Sequence, residues 1–193
     1  MKKKIIILGS DTKKGSIAFS FFRKYNNLYD ITGLSSVNSS GSNINKTFLK
    51  QIREINPKYI YVDSLEAKKE IEKEFINSQI ITKENSVSKF IKITPADIVV
   101  SALQGIDSVK PILSAIHDLK DIAIIKKDPL FYLGSILKKE ADTKGVRLYY
   151  LSNYFSAVEK LLINKSAKDI NKIIVFTDYR KGRSENYFNE GDK

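Results

Sequence analysis

Lys4-Ile5-Ile6-Ile7-Leu8, followed by Gly9-Ser10-Asp11-Thr12-Lys13-Lys14-Gly15-Ser16-Ile17-Ala18, is the stretch that decides how this chain folds. A short unbroken aliphatic run reads as a strand buried on both faces, the condition of a strand inside a parallel sheet. It stops at a glycine, turns through small and hydroxylated residues, and resumes as Ser16-Ile17-Ala18-Phe19-Ser20-Phe21-Phe22, the pattern of an amphipathic helix. Strand, glycine turn and helix N-terminus together favour an anion: turn amides lack partners, the helix dipole is positive there, and glycine admits close approach. Ala18 supplies the small third position of such a fingerprint. The spacing from Gly9 to Gly15 is longer than in a plain G-x-G-x-x-G. On this segment alone, an ordinary strand-to-helix turn reads equally well.

Outward from that stretch, short apolar runs alternate with helical periods. Strands are expected at 4–8, 29–35, 59–62, 78–81, 98–101, 122–125, 147–151 and 172–176. Helices are expected at 16–25, 44–55, 64–75, 86–93, 109–118, 129–144 and 152–163. Asp63-Ser64 offers an N-cap, and Asp128-Pro129 places a capping carboxylate before a proline suited to the first helical position. Gly145 closes the long helix where a left-handed residue is wanted. This alternation requires right-handed βαβ units and an α/β, doubly wound, mostly parallel sheet with helices on both faces. After Asp178 the chain turns polar through Tyr179-Arg180-Lys181-Gly182-Arg183-Ser184. Too little apolar surface remains there to order it, so 179–193 is expected to be a disordered tail.

Composition removes several chemistries. The 193 residues are 42% hydrophobic, enough for one domain with a core or a domain plus an appendage. With no cysteine, disulfides, Cys–zinc sites and thiol nucleophiles are excluded. His117 is the only histidine and falls in a helical run, where it reads as a partly exposed helix residue and not a catalyst. Met1-Lys2-Lys3-Lys4 precedes too few apolar residues for a signal peptide or a membrane span, so a cytoplasmic protein is expected. The net charge of +11 is compatible with nucleic acid, a phosphorylated ligand or a membrane surface. The lysines are scattered over different elements, however, and no nucleic-acid motif accompanies them, so they read as generic surface.

The end of the second strand carries a further signal. An Asp or Glu roughly 20 residues past the glycines would mark an NAD ribose site. Here the strand ends in Gly33-Leu34-Ser35-Ser36 and runs into Val37-Asn38-Ser39-Ser40-Gly41-Ser42-Asn43. An uncharged, hydroxyl-rich end suits a 2′-phosphate, so NADP is favoured over NAD for any cofactor. A plain loop reads equally well.

Six blocks then resemble, in order, one known family. Ile5-Ile6-Ile7-Leu8-Gly9-Ser10 with Gly15-Ser16-Ile17 resembles I-L-G-S-T-G-S-I-G, and Leu34-Ser35-Ser36 with Gly41-Ser42-Asn43 resembles L-S-A-G-x-N. Pro57-Lys58-Tyr59-Ile60-Tyr61-Val62 is similar to P-x-Y-V-x-V. Ala96-Asp97-Ile98-Val99-Val100-Ser101-Ala102-Leu103-Gln104-Gly105 is similar to A-D-I-V-V-N-A-I-x-G. Lys120-Asp121-Ile122-Ala123-Ile124-Ile125-Lys126-Lys127-Asp128 resembles K-x-I-A-L-A-N-K-E, and Gly145-Val146-Arg147-Leu148 leads the next strand similarly. The family is 1-deoxy-D-xylulose-5-phosphate reductoisomerase, and the blocks span 1–177.

That resemblance implies a Rossmann-like domain and a reaction that rearranges and reduces a xylulose phosphate with NADPH and a divalent metal, in the non-mevalonate route to isoprenoids. Carried over by position, it implies a diphosphate turn of Gly9, Ser10, Thr12, Gly15, Ser16 and Ile17. It further implies an adenosine-phosphate loop of Ser36, Gly41, Ser42 and Asn43, and a nicotinamide neighbourhood including Ala102 and Lys127. Lys13, Lys14 and Asp11 are insertions in the turn, and Ser42 stands where the family has a basic residue.

The largest departure follows Leu151. Where the family has V-D-S-E-H-S-A, with Asp and Glu as metal ligands, this chain has Leu151-Ser152-Asn153-Tyr154-Phe155-Ser156-Ala157. A hard divalent cation needs anionic oxygen ligands, which Ser152 and Tyr154 do not supply at neutral pH. Asp178 falls where a phosphate-binding serine is expected. The expectation is therefore a degenerate, truncated relative with no catalytic or metal residues of its own: a dinucleotide domain at 1–150, the start of a catalytic domain at 151–178, then the tail. Two alternatives stay open: a cofactor-binding subunit completing an oxidoreductase in trans, and a repurposed basic domain binding nucleic acid or protein.

Overall fold

Ile5, Ile6, Ile7 and Leu8 have no solvent exposure, as a strand with neighbours on both sides and helices on both faces requires. The computed structural model describes residues 1–36, 44–82, 86–151, 153–172 and 174. Its elements are β1 (Lys3–Leu8), α1 (Lys13–Lys24), β2 (Tyr29–Ser35), α2 (Lys46–Ile55), β3 (Tyr59–Val62), α3 (Leu65–Glu72), β4 (Gln79–Thr82) and α4 (Ser86–Ile93). They continue as β5 (Ile98–Ser101), α5 (Val109–His117), β6 (Asp121–Ile124), α6 (Asp128–Lys144), β7 (Leu148–Tyr150) and α7 (Asn153–Leu161). The strands form one sheet in the order β4-β3-β2-β1-β5-β6-β7, and every neighbouring pair is parallel. The fold is a Rossmann-like α/β sheet, as the alternation of elements predicts.

Successive side chains of β1 face opposite layers. Ile5 and Ile7 pack with Ala18, Phe19 and Phe22 of α1, Phe48 and Ile52 of α2, and Ala67 and Ile71 of α3. Ile6 and Leu8 pack with Phe90 and Ile91 of α4, Ile112 and Ile116 of α5, and Leu137 and Ala141 of α6. The chain steps from β1 to β4 in one direction, then returns to the other side of β1 and steps outward again. Crossovers of constant hand therefore put α1–α3 on one face and the later helices on the other. The direction reverses between β1 and β5, whose carboxyl ends lie side by side with Leu8 opposite Ser101.

Local chemistry departs from the sequence expectation at three places. Helix α1 begins at Lys13, not at residue 16, because Thr12 (φ −73°, ψ 158°) caps it by accepting from the Gly15 N–H; the inserted lysines are helix, not loop. Asp128 does not cap its own helix. Its carboxylate accepts from the Gly105 N–H at 3.2 Å, and α6 starts without a side-chain cap. Helix α6 is also kinked at Leu133 (φ −141°, ψ 27°). By contrast, Ser64 accepts from the Ala67 N–H at 3.0 Å, and Gly145 ends α6 in the left-handed region at φ 67°. The strand expected at 172–176 falls mostly outside the described residues, as does the tail.

One compact unit spans Met1–Ala157 and another Val158–Lys193. Within the second, Ala167–Asp169 forms a 3-10 turn, and Asp169 accepts from the Ser166 N–H at 2.7 Å. No helix among the described residues is long and apolar enough to cross a membrane.

Candidate functional site

In an open parallel sheet, ligands bind outside the carboxyl ends of the strands, where the chain reverses direction. Here that place lies between β1 and β5. Gly9 leaves β1 at φ 68°, and a Cβ on it would lie 3.3 Å from Leu103 Cδ2 and 3.6 Å from the Ala102 carbonyl carbon. The Ala102 N–H donates to Leu8 O at 3.0 Å, so the tips of the two strands are tied together. The neighbouring β2 end is tied in as well: Gly9 N–H donates to Ser35 Oγ at 2.9 Å, and Ser10 N–H to Ser35 O at 2.9 Å.

Turn and helix start are cross-braced. The Thr12 hydroxyl donates to Gly9 O at 2.8 Å and accepts from Gly15 N–H at 3.0 Å. The Ser16 hydroxyl donates to Ser10 O at 3.1 Å, and Ser16 N–H donates to Thr12 O at 2.8 Å. Gly15 is buried against this turn; a Cβ there would come within 2.0 Å of Gly9 O. Its glycine requirement is thus set by packing of helix on turn. With Gly15 and Ser16 N–H groups engaged, and Ile17 N–H in line for the Lys13 carbonyl, the first-turn amides left over are those of Lys13 and Lys14.

Both lysines occupy the first turn of α1, which contains no acidic residue. A helix dipole disfavours cations there, by roughly 0.3–1 kcal/mol each at an exposed site.

The structure brings Gly9, Ser10, Thr12, Gly15, Ser16, Ser36 and Ala102 to one edge of the sheet. Ser36 is buried, and its hydroxyl donates to Asp11 Oδ2 at 2.7 Å, linking the first turn to the end of β2. Ile17 is 64% exposed on α1. Lys127 lies one strand further along, after β6, with Nζ 5.4 Å from the Phe131 ring centroid. Gly41, Ser42, Asn43 and Ser152 lie outside the described residues. Among the described residues, no three His, Cys, Asp or Glu side chains cluster to hold a metal.

Gln51 is the participant that sequence reasoning missed. Buried on α2, it donates from Nε2 to Ser10 O at 2.9 Å and lies 3.5 Å from Ser16 Oγ, while its Oε1 has no hydrogen-bond partner. A polar residue on the same buried stripe as Phe48 and Ile52 was the available signal.

A sequence model of 1-deoxy-D-xylulose 5-phosphate reductoisomerase matches residues 5–134. The chain belongs to that family. The reductoisomerase of Thermodesulfovibrio yellowstonii is 29% identical over 171 residues, covering 89% of this chain and 44% of the relative. That of Thermoanaerobacter pseudethanolicus is 29% identical over 174 residues, covering 90% and 44%. The chain therefore spans less than half the length of these reductoisomerases. A crystal structure of the enzyme in complex with magnesium superposes with a TM-score of 0.73 at 20% identity, over 83% of this chain and 40% of that one. The Zymomonas mobilis enzyme in complex with NADPH gives 0.68 at 16% identity, over 79% and 39%. These superpositions show a shared fold.

Proposed function

We propose that this chain is the dinucleotide-binding part of a reductoisomerase-type protein, binding NADP(H) across the β1–β5 crevice. One observation carries the reading: α1 opens beside the reversal point with two lysines and no acid in its first turn. A diphosphate seated there turns an electrostatic cost into an attraction. Lys13 and Lys14 would hold the diphosphate through backbone and side chain. Thr12 and Ser16 would keep the turn rigid, and Ala102, at the tip of β5, would leave room for the nicotinamide half. That a family member of known structure was in complex with NADPH supports the choice of nucleotide. When bound, NADPH supplies a hydride; the residues described here bind and orient it.

The reading extends to the remainder of the chain as the opening segment of a catalytic domain, at 151–178. The donor set there does not suit a divalent cation, since Ser152 and Tyr154 occupy the positions of the two family carboxylates. Metal-dependent isomerisation is therefore not assigned to these residues. In an assay of the purified chain with 1-deoxy-D-xylulose 5-phosphate, NADPH and magnesium or manganese, NADPH absorbance is expected to hold at the no-enzyme rate. The thermal midpoint should still rise with NADPH concentration. Substrate- and metal-dependent NADPH oxidation would refute the catalytic half of the reading; a midpoint insensitive to NADPH would refute the binding half.

A further inference from the structure

Among the described residues, half of one sheet face lacks its second layer. Parallel sheets are covered by helices on both faces. On the face of Ile5 and Ile7 the packed helices are α1, α2 and α3, which follow β1, β2 and β3 and cover that half of the sheet. Right-handed crossovers send α5 and α6 to the other face, where Ile112, Ile116, Leu137 and Ala141 pack. Ile98 of β5, Ala123 of β6 and Tyr149 of β7 therefore face an open groove of about 750 Å³ beside α1. Three adjacent strands span about 10 Å, the width of one α-helix.

The groove is apolar along floor and wall and basic at its rim. Phe21 and Phe22 of α1 form the wall, and Phe21, Leu28 and Leu151 are each about half exposed along it. Among the described residues, the charged side chains lining it are Lys3 and Arg147, with no acid. Lys3 has no carboxylate partner among the described residues. Arg147 Nε lies 3.4 Å from Asp121 Oδ2, yet its side chain stays largely exposed. A second copy of this chain is a poor occupant, because it would set Lys3 and Arg147 of one copy against those of the other, on proteins of net charge +11. The stretch from Tyr179 onward is no better suited, since it carries Arg180, Lys181 and Arg183 and little apolar sequence. The charge that complements this rim is negative.

We propose that this groove docks an amphipathic helix of another polypeptide, with its aliphatic face laid on β5–β7 and aspartates or glutamates along the flanks beside Lys3 and Arg147. The apolar floor supplies most of the affinity, and the rim charges select the partner. Lys3, Tyr29 and Ile98 begin their strands, so the docked helix lies toward the amino edge of the sheet, away from the β1–β5 crevice. The proposal therefore does not rest on the dinucleotide reading.

The test is selection from a display library of helical peptides of about 16 residues, about 24 Å long. Leucines are fixed at i, i+3, i+4 and i+7, and the flanking positions are free to be Glu, Gln or Lys. Peptides selected on the full chain should carry Glu at the flanks. By fluorescence anisotropy, the best of them should weaken by at least about threefold when its Glu residues are replaced by Lys. On a Lys3→Glu/Arg147→Gln variant the preference should reverse to Lys, which attraction to the protein's overall positive charge does not produce. A Phe21→Ser/Leu28→Ser variant should lose the peptide, and urea midpoints check that both variants fold. A library that yields no binder, a Glu preference kept by the rim variant, or binding that survives Phe21→Ser/Leu28→Ser overturns the assignment. So does a dimer in sedimentation equilibrium that Phe21→Ser/Leu28→Ser dissociates, since the occupant is then a second copy.

Discussion

Replacing Gly15 by alanine tests how helix α1 packs on the turn that follows β1. The added Cβ would lie 2.0 Å from Gly9 O, 2.8 Å from Gly9 C and 2.9 Å from Ser10 Cα. All three are backbone atoms, so no rotamer change relieves the clash, and helix and turn must part by about 1 Å before the closest pair is tolerable. Gly9 O accepts from both the amide and the hydroxyl of Thr12, and Thr12 caps Gly15, so that parting also strains the cap. Overpacking of rigid backbone costs about 3 kcal/mol and a lost cap about 1 kcal/mol. The better helix propensity of alanine returns about 1 kcal/mol. The net is about 3 kcal/mol, against a total stability of about 5–15 kcal/mol. With a urea slope of about 2 kcal/mol per molar, the unfolding midpoint should fall by about 1.5 M in the absence of any nucleotide. Gly134→Ala is the control, because a Cβ there meets nothing nearer than Leu130 Cβ at 3.8 Å; its midpoint should stay level or rise. A Gly15→Ala protein unfolding at the wild-type midpoint would show that the glycine is not needed for packing, and would refute the reasoning.

Ser101 Oγ is buried at the end of β5 with no hydrogen-bond partner. Ser101→Ala should therefore be neutral or stabilising, by up to about 1–2 kcal/mol, and a fall in the urea midpoint would show a bond the hydroxyl makes. Lys120, buried with Nζ donating to Ile91 O and to Thr94 O, has its pKa lowered by desolvation, which outweighs the attraction of Asp118. The folded state then binds fewer protons than the unfolded one between the depressed pKa and the ordinary lysine value. Stability attributable to this residue should rise with pH across that window. The difference in urea midpoint between wild type and Lys120→Met, followed into the alkaline range, checks this; a difference that is flat or shrinks would contradict it.

The sheet was legible because burial on both faces leaves an unmistakable trace: residues 5–8 are aliphatic without interruption, and the structure puts them at the centre. Gly145 and Ser64 were legible because a left-handed helix end and an N-cap each demand few residue types. Asp128 was not. Its local pattern is that of a cap, and only the sheet order, which sets the β5 loop against the start of α6, gives its carboxylate the Gly105 amide instead. The packing role of Gly15 was not legible for a similar reason. A glycine at a phosphate turn suits close approach of an anion, whereas the atom it must avoid is Gly9 O, brought there by the tertiary path of the turn. Gln51 looks like an ordinary helix residue in sequence; its contacts depend on the turn after β1 and the start of α1 lying beside α2.

Where the dinucleotide sits is tested most directly by nuclear magnetic resonance, following the backbone amides of the isotope-labelled chain during titration with NADPH. The account predicts the largest shifts at Lys13 and Lys14, with smaller ones at Ser10, Ser36, Ala102 and Leu103, and none along β3 and β4. Shifts concentrated elsewhere, or no shifts up to millimolar NADPH, would contradict it.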